Sequence, residues 1–407
     1  MKERVTVKSP NAIWFKMRYF LAVLLPLSTL FHVCFASHNA TGVEHLLVRR
    51  AMTATDLFSI KSENTPGGCS AAQQAQLTAW IADAVKLHDA AVAAYGFSNG
   101  LKDAAHLWFF MGMKFSAPGT PTTDQDSDMY KEMGDRLAGV TEFLNGNGVR
   151  GAKARTKPLF WCSDAFADFA DWDEPAKDKN GNTIPKPNSG DNVFTLEQLF
   201  PDLYEGIQGG KSMEPFWADV FNGYVVQGTD VERLCFSTLY AATPRARAAD
   251  NVKDGIDVKV GTFERFIYFC NNGWTQRPGV KENTALASLA DAITYANYPT
   301  AGSRAQSLAA FTPISATFYH ELFHLTDYTT DTKTKPITGD PFPGLGSIVN
   351  AAQKQNPEIT RNPESFNFFA MASYLVRNPP ATPDNNPKKP AVLFFGGFPV
   401  DANSVSG

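Results

Sequence analysis

Two histidines four residues apart, with a glutamate after the first, give this chain its clearest capacity for chemistry: His320-Glu321-Leu322-Phe323-His324. The surrounding segment Phe311 to Asp327 reads FTPISATFYHELFHLTD, in which Pro313 suits a first helical turn and nothing from Ser315 onward breaks a helix. On a helix, side chains at i and i+4 leave one face at adjacent turns. Both imidazoles can then grip a single metal ion. Glu321 faces the same cleft from a neighbouring angle, where its carboxylate can take a proton from activated water without being a ligand. The pattern is that of a zinc site that activates water, with His320 and His324 as ligands and Glu321 as general base. The competing reading is a core helix with two incidentally spaced histidines, for which Ile314, Phe318, Leu322, Phe323 and Leu325 would be ordinary core residues.

A catalytic zinc takes three protein ligands and keeps one position open. No histidine follows His324, and His32, His38 and His45 fall in the N-terminal 50 residues expected to be removed, so a third imidazole in the mature chain could come only from His88 or His106, far upstream. That points to a carboxylate among Asp327, Asp331, Asp340, Glu358, Glu364, Asp384 and Asp401. Asp327 lies two turns past His320 on the same helix, and one straight helix seldom surrounds an ion, so it is expected to cap or leave the helix end. Asp331 and Glu358 have nothing to single them out. Asp340 sits in a turn, Thr338-Gly339-Asp340, before a new helix expected over Gly344–Gln355. Glu364 opens the helix after that, in Asn362-Pro363-Glu364-Ser365-Phe366, where a capping carboxylate is the plainer reading. Both stay open on the residues alone.

These motifs resemble the deuterolysin-type aspzincin metallopeptidases secreted by fungi. In that family HExxH is followed by a Gly-Thr-x-x-Asp-x-x-Tyr-Gly loop whose Asp is the third zinc ligand, then by an Asn-Ala-Asp-x-Tyr helix start. Here His320 to His324 match the first motif, Thr338-Gly339-Asp340 falls where the loop belongs, and Asn362 to Ala370 (NPESFNFFA) looks like the helix start. The early Cys69-Ser70 followed by an Ala/Gln-rich helix is also similar to the family's N-terminal end. The resemblance implies Asp340 as the third ligand, with Glu364 a structural neighbour and the alternative ligand. It is a match of motifs rather than of a whole fold. The interval from His324 to Asp340 is long for the family, and its Tyr-Gly pair is replaced by Pro341-Phe342-Pro343-Gly344-Leu345-Gly346.

Several elements must position these groups. From Ser70 to about Tyr95 the pattern is a strong amphipathic helix, its stripe formed by Leu77, Trp80, Ile81, Ala84, Val85, His88, Ala91 and Val92. His88 on that stripe reads as a satisfied core histidine rather than a ligand. A second helix is expected over Ala104–Lys114, carrying His106. A third is expected over Ser127–Leu144, with Met129, Met133, Leu137, Val140 and Leu144 inward and Asn145-Gly146-Asn147-Gly148 as its stop. Extended segments are expected at Gly223–Val226 and Val258–Ile267. Residues 171–192 read as a solvated surface insertion, and residues 379–407 as a Pro-rich, loosely ordered tail. The expected fold is α+β and zincin-like, predominantly helical with a small sheet, the HExxH helix forming the floor of a cleft.

The chain has 407 residues, 19% charged, with a formal net charge of -4 and no long basic block, which sets nucleic acid aside as a partner. Tyr19 to Ala36 form an apolar run after Lys16 and Arg18, with Cys34 and Ala36 as the small residues of a cleavage site before Ser37. This is the layout of a secretory signal peptide over residues 1–36; Pro26 and His32 interrupt it as a membrane anchor. The dibasic Arg49-Arg50 marks a short propeptide, 37–50, ahead of a peptidase domain over 51–378. Beyond the signal remain Cys69, Cys162, Cys235 and Cys270, an even number in an oxidising compartment. Of the three connectivities, Cys69–Cys162 with Cys235–Cys270 is the expected one. Together these readings predict a secreted, extracellular zinc metalloendopeptidase acting on protein or peptide substrates, with no stable membrane insertion. The alternative is a catalytically inactive secreted binding protein that keeps the zincin fold.

Overall fold

The computed structural model describes residues 51–150, 157–187, 192–204, 213–228, 232–236, 239–244, 251–253, 255–260, 265–276, 286–327 and 339–404. The expected signal peptide and propeptide lie outside them. The protein is α+β. Among the described residues, six helices of nine residues or more carry the larger core: α1 (Ala71–Tyr95), α2 (Leu101–Met111), α3 (Asp124–Leu144), α4 (Ser315–Thr326), α5 (Leu345–Gln353) and α6 (Pro363–Arg377). The labelled strands are β1 (Ser59–Ile60), β2 (Leu159–Trp161), β3 (Asp168–Phe169), β4 (Met213–Ala218), β5 (Gly223–Gly228), β6 (Ala241–Ala242), β7 (Phe266–Phe269), β8 (Val392–Phe395) and β9 (Phe398–Asp401). No described helix is long and apolar enough to cross a membrane.

A four-stranded sheet in the order β1-β2-β7-β6 separates two apolar clusters. β2 runs parallel to β1 and to β7, whereas β6 closes the edge antiparallel to β7. Every residue of β2 and β7 is buried, as expected of strands covered on both faces. Side chains alternate across a strand, and here the two sets reach different cores. Phe160, Ile267 and Phe269 join the helical core, while Leu159, Trp161, Phe266 and Tyr268 join a smaller cluster on the far side.

The helices start and stop where local chemistry tells them to. Ser70 caps α1 by accepting from the Gln73 N–H, while the Gln73 side chain accepts from the Ser70 N–H. The same reciprocal box, Thr123 with Asp126, starts α3 at Asp124, three residues before the expected Ser127. α2 also departs from expectation, running Leu101–Met111 rather than Ala104–Lys114. Gly112 ends it, holding a left-handed φ of 69° that non-glycine residues avoid. The α1 stripe is buried at Leu77, Trp80, Ile81, Ala84, His88 and Ala91, but Val92 points to solvent and Leu87 and Ala94 take the core instead.

Two segments are better packed than expected. Residues 171–192 were expected to be solvated, yet Trp172, Ala176 and Ile184 are buried with Trp217, Tyr224 and Val258 in a third cluster. Isolated bridges Pro175–Thr195, Lys177–Thr183 and Pro185–Val193 hold the segment. The C-terminal tail folds back as the hairpin β8–β9, with Val392, Leu393 and Phe394 buried and Gly396-Gly397 turning the chain at φ 58° and 89°. The two disulfides have the expected pairing, Cys69–Cys162 and Cys235–Cys270.

Candidate metal centre

α4 is held from every side before its polar face does anything. Its back face is buried through Phe318, Tyr319, Leu322, Phe323 and Leu325. Phe318 meets Phe58 edge-on with ring centroids 6.0 Å apart, and Phe323 stacks on Phe366 of α6 at 4.3 Å. Tyr319 Oη lies 3.2 Å from His88 Nδ1, and Thr141 Oγ1 lies 2.7 Å from His88 Nε2. His88 is therefore the satisfied core histidine expected from its stripe. The helix end is pinned as well: Arg265 donates to the Leu325 carbonyl at 2.8 Å, and the C-capping Asp327 pairs with buried Arg136 of α3. Gly139 lets α3 approach closely, since a Cβ there would sit 3.3 Å from the Thr326 carbonyl.

On the open face, His320 and His324 have ring centroids 5.2 Å apart, and Asp340 reaches both. Its Oδ1 is 3.3 Å from His320 Nε2 and 3.4 Å from His324 Nε2. Ligands about 2.0–2.1 Å from a tetrahedral zinc stand about 3.3–3.4 Å from one another, so both spacings match edges of such a tetrahedron. These three form the metal-competent group of His, Cys, Asp and Glu found among the described residues, with all ligand atoms within 4.8 Å of each other. Asp340 is the most exposed of the three, its side chain 41% accessible against 13% for His320.

Glu364 stands on the other side of the same ring. Its Oε2 lies 3.1 Å from His320 Nδ1 and accepts a second hydrogen bond from Asn367 Nδ2 at 3.0 Å. An ionised carboxylate can only accept, so Nδ1 donates to Glu364, and that bond turns Nε2 towards Asp340. Glu364 stands in the first turn of this helix, as expected, and also meets His320, while Asn362 makes no side-chain cap bond. Asn362 has other work. Fully buried, it accepts from the Phe342 N–H at 3.3 Å and donates to the Phe342 carbonyl at 3.2 Å, clamping the loop two residues beyond Asp340.

Charge follows this geometry. Burial alone would lower the His320 pKa, but the Asp340 carboxylate and hydrogen bonds to Asp340 and Glu364 raise it well above its ordinary value. Burial alone would raise Asp340, but the two imidazoles hold it well below the usual carboxylate range.

Glu321 is 4% exposed, and Thr243, just past β6, donates to its Oε2 at 2.7 Å. Of the other candidates, His106 is fully buried on α2, Asp327 is committed to Arg136, and Glu358 and Asp384 are exposed. Asp331 and Thr338 lie outside the described residues. Sequence reasoning missed Thr243 and the clamping role of Asn362. The Asn-Pro pair at a helix start was a visible signal for the second; Thr243 had none.

Comparison with known proteins adds little. No protein-family profile matches the chain, and no solved structure matches it. A Penicillium expansum protein described as a non-secreted LysM effector is 26% identical over 129 residues. That stretch is 31% of this chain and spans about 15% of the relative's length.

Proposed function

We propose that this chain is a secreted zinc metalloendopeptidase of zincin-like fold, a divergent relative of the deuterolysin-type aspzincins. The observation that carries the reading is the convergence of His320, His324 and Asp340, their ligand atoms within 4.8 Å of one another, with the buried Glu321 next to His320 on the same helix. The donor set of two imidazoles and one carboxylate suits zinc with a position left open. His320, His324 and Asp340 would hold the ion, which when bound supplies a Lewis acid that lowers the pKa of water and polarises a carbonyl. Glu321 accepts the proton of the attacking water and passes it to the departing amine. Glu364 fixes the His320 tautomer, and Asn362 fixes the loop that carries Asp340. β6, at the outer edge of the sheet, offers an extended substrate a strand to pair with. The two disulfides support an oxidising destination.

The deciding experiment is elemental zinc analysis of the purified mature chain, paired with casein digestion in chelator and after zinc is restored. One zinc per chain, with digestion lost in chelator and recovered with zinc, is the expected result. A chain without zinc refutes the reading.

A second reading, a catalytically inactive binding protein on the same scaffold, draws on the relative described as a non-secreted LysM effector, of which the match covers about 15%, and on the absent Tyr-Gly pair after Asp340. It predicts zinc uptake without casein digestion.

A further inference from the structure

We propose that Thr243 positions the general base: its hydroxyl holds one oxygen of Glu321 so that the other is presented to water. This inference rests on the peptidase reading above. Thr243 Oγ1 donates to Glu321 Oε2 at 2.7 Å and lies 3.4 Å from the Glu321 carbonyl oxygen, so it seats against both the side chain and the backbone of that residue. Among the described residues this is the hydrogen bond that the Glu321 carboxylate receives from a side chain. A carboxylate has two chemically equal oxygens and a free χ3 rotation. One fixed donor on Oε2 removes that equivalence and leaves Oε1 as the proton acceptor.

The donor itself is held firmly. Pro244 follows Thr243, and a residue before proline is confined to extended backbone, which keeps Thr243 in line with β6. Ala241 and Ala242 pair antiparallel with Phe269 and Tyr268. The Cys270 N–H donates to the Tyr240 carbonyl at 2.9 Å, and the Cys235–Cys270 disulfide ties the end of β7 to the segment that leads into β6. Strand pairing, a covalent bond and a proline all converge on one hydroxyl. Gly273 adds to this: a Cβ there would lie 2.1 Å from the Tyr240 carbonyl, so the backbone is packed too closely against this segment for a side chain. A threonine that merely satisfied a buried acid would matter to stability and to nothing else, and that is the distinction to test.

The test compares the zinc-loaded mature chain with Thr243→Val, which keeps the shape and removes the donor, and with Thr243→Ser, which restores it. Four quantities are read on each: zinc affinity by chelator competition, kcat and KM on labelled casein, and affinity for acetohydroxamate by calorimetry. The expected result is unchanged zinc affinity, with kcat about tenfold to a hundredfold lower in Thr243→Val at a KM within about twofold, as a misplaced catalytic group would give. Acetohydroxamate, whose oxygen acid must be met by the Glu321 carboxylate, binds more weakly to Thr243→Val, and Thr243→Ser recovers both. A Thr243→Val chain with parental kcat and parental acetohydroxamate affinity overturns the proposal, as does one that loses zinc. A parent that binds zinc but leaves casein intact refutes the peptidase reading, and the acetohydroxamate comparison then decides Thr243 by itself.

Discussion

Glu364 and Asp340 meet the same imidazole on opposite nitrogens, and that opposition gives them different work. A residue at Nε2 can share an ion with His320; one at Nδ1 can only orient the ring and raise its basicity. Asp340→Ala is therefore expected to abolish zinc binding, whereas Glu364→Ala should weaken it about tenfold to a hundredfold. Chelator competition on the two variants checks this, and equal losses would mean that Glu364 is a ligand. Glu321→Gln should keep one zinc and lose about a hundredfold or more in casein digestion, the range in which general bases act. Protons enter the same comparison. His320 titrates well above its ordinary value in the metal-free site, so zinc must displace a proton there. Apparent zinc affinity should accordingly rise with pH through neutrality, measured by the same competition. His320, Glu321 and His324 were legible because their spacing is local and one helix makes it geometry. The residues left Asp340 and Glu364 unresolved because both are acids after a turn, and only the ring between them tells them apart. Thr243 was invisible: it acts on Glu321 across 78 positions of sequence, and a lone threonine before a proline carries no pattern.

Among the elements, the long helices were legible and the strands only in part: the extended segment expected at Gly223–Val226 lies within β5, while the one expected over Val258–Ile267 is, among the described residues, strand only at its two ends. α1 and α3 announce themselves by a 3.6-residue stripe and a reciprocal cap, and their ends fell within a few residues of expectation. β2 and β7 are three and four residues long and buried on both faces, so they show no alternation to read. The β8–β9 hairpin was masked by the prolines before it, although its Gly396-Gly397 turn between apolar runs was a usable signal. The element that most affects the site is β6, only two residues long and stapled through Cys235–Cys270. Replacing both cysteines with serine should lower casein turnover while leaving zinc affinity intact, because the disulfide supports the Glu321 side of the site and not the His320–His324–Asp340 side. Parallel loss of zinc and turnover would show that the staple holds the whole centre.

At the scale of the molecule, α1, α4 and α6 share one core, and that core contains a histidine with no function in the site. His106 of α2 is fully buried, its Nε2 has no hydrogen-bond partner among the described residues, and its Nδ1 lies 3.5 Å from Ser373 Oγ of α6. The Arg377 guanidinium, itself paired with Asp103, stands near it. Burial first, and Arg377 second, push the His106 pKa from 6.5 down to about 3. Between those values the unfolded chain binds a proton that the native chain refuses, so stability present above pH 6.5 drains away as the pH falls towards 3. One such group contributes a slope of up to about 1.4 kcal/mol per pH unit. His320 does not blur the window: its raised pKa adds stability that is fully present below its unfolded value and is lost only as the pH climbs through the folded one. Urea unfolding in chelator, from pH 6.5 to 3, should show the midpoint falling steeply for the parent and more gently for His106→Leu. His106→Leu with the parental slope would mean that His106 accepts its proton inside the folded core, and that the acid sensitivity of the native state arises elsewhere.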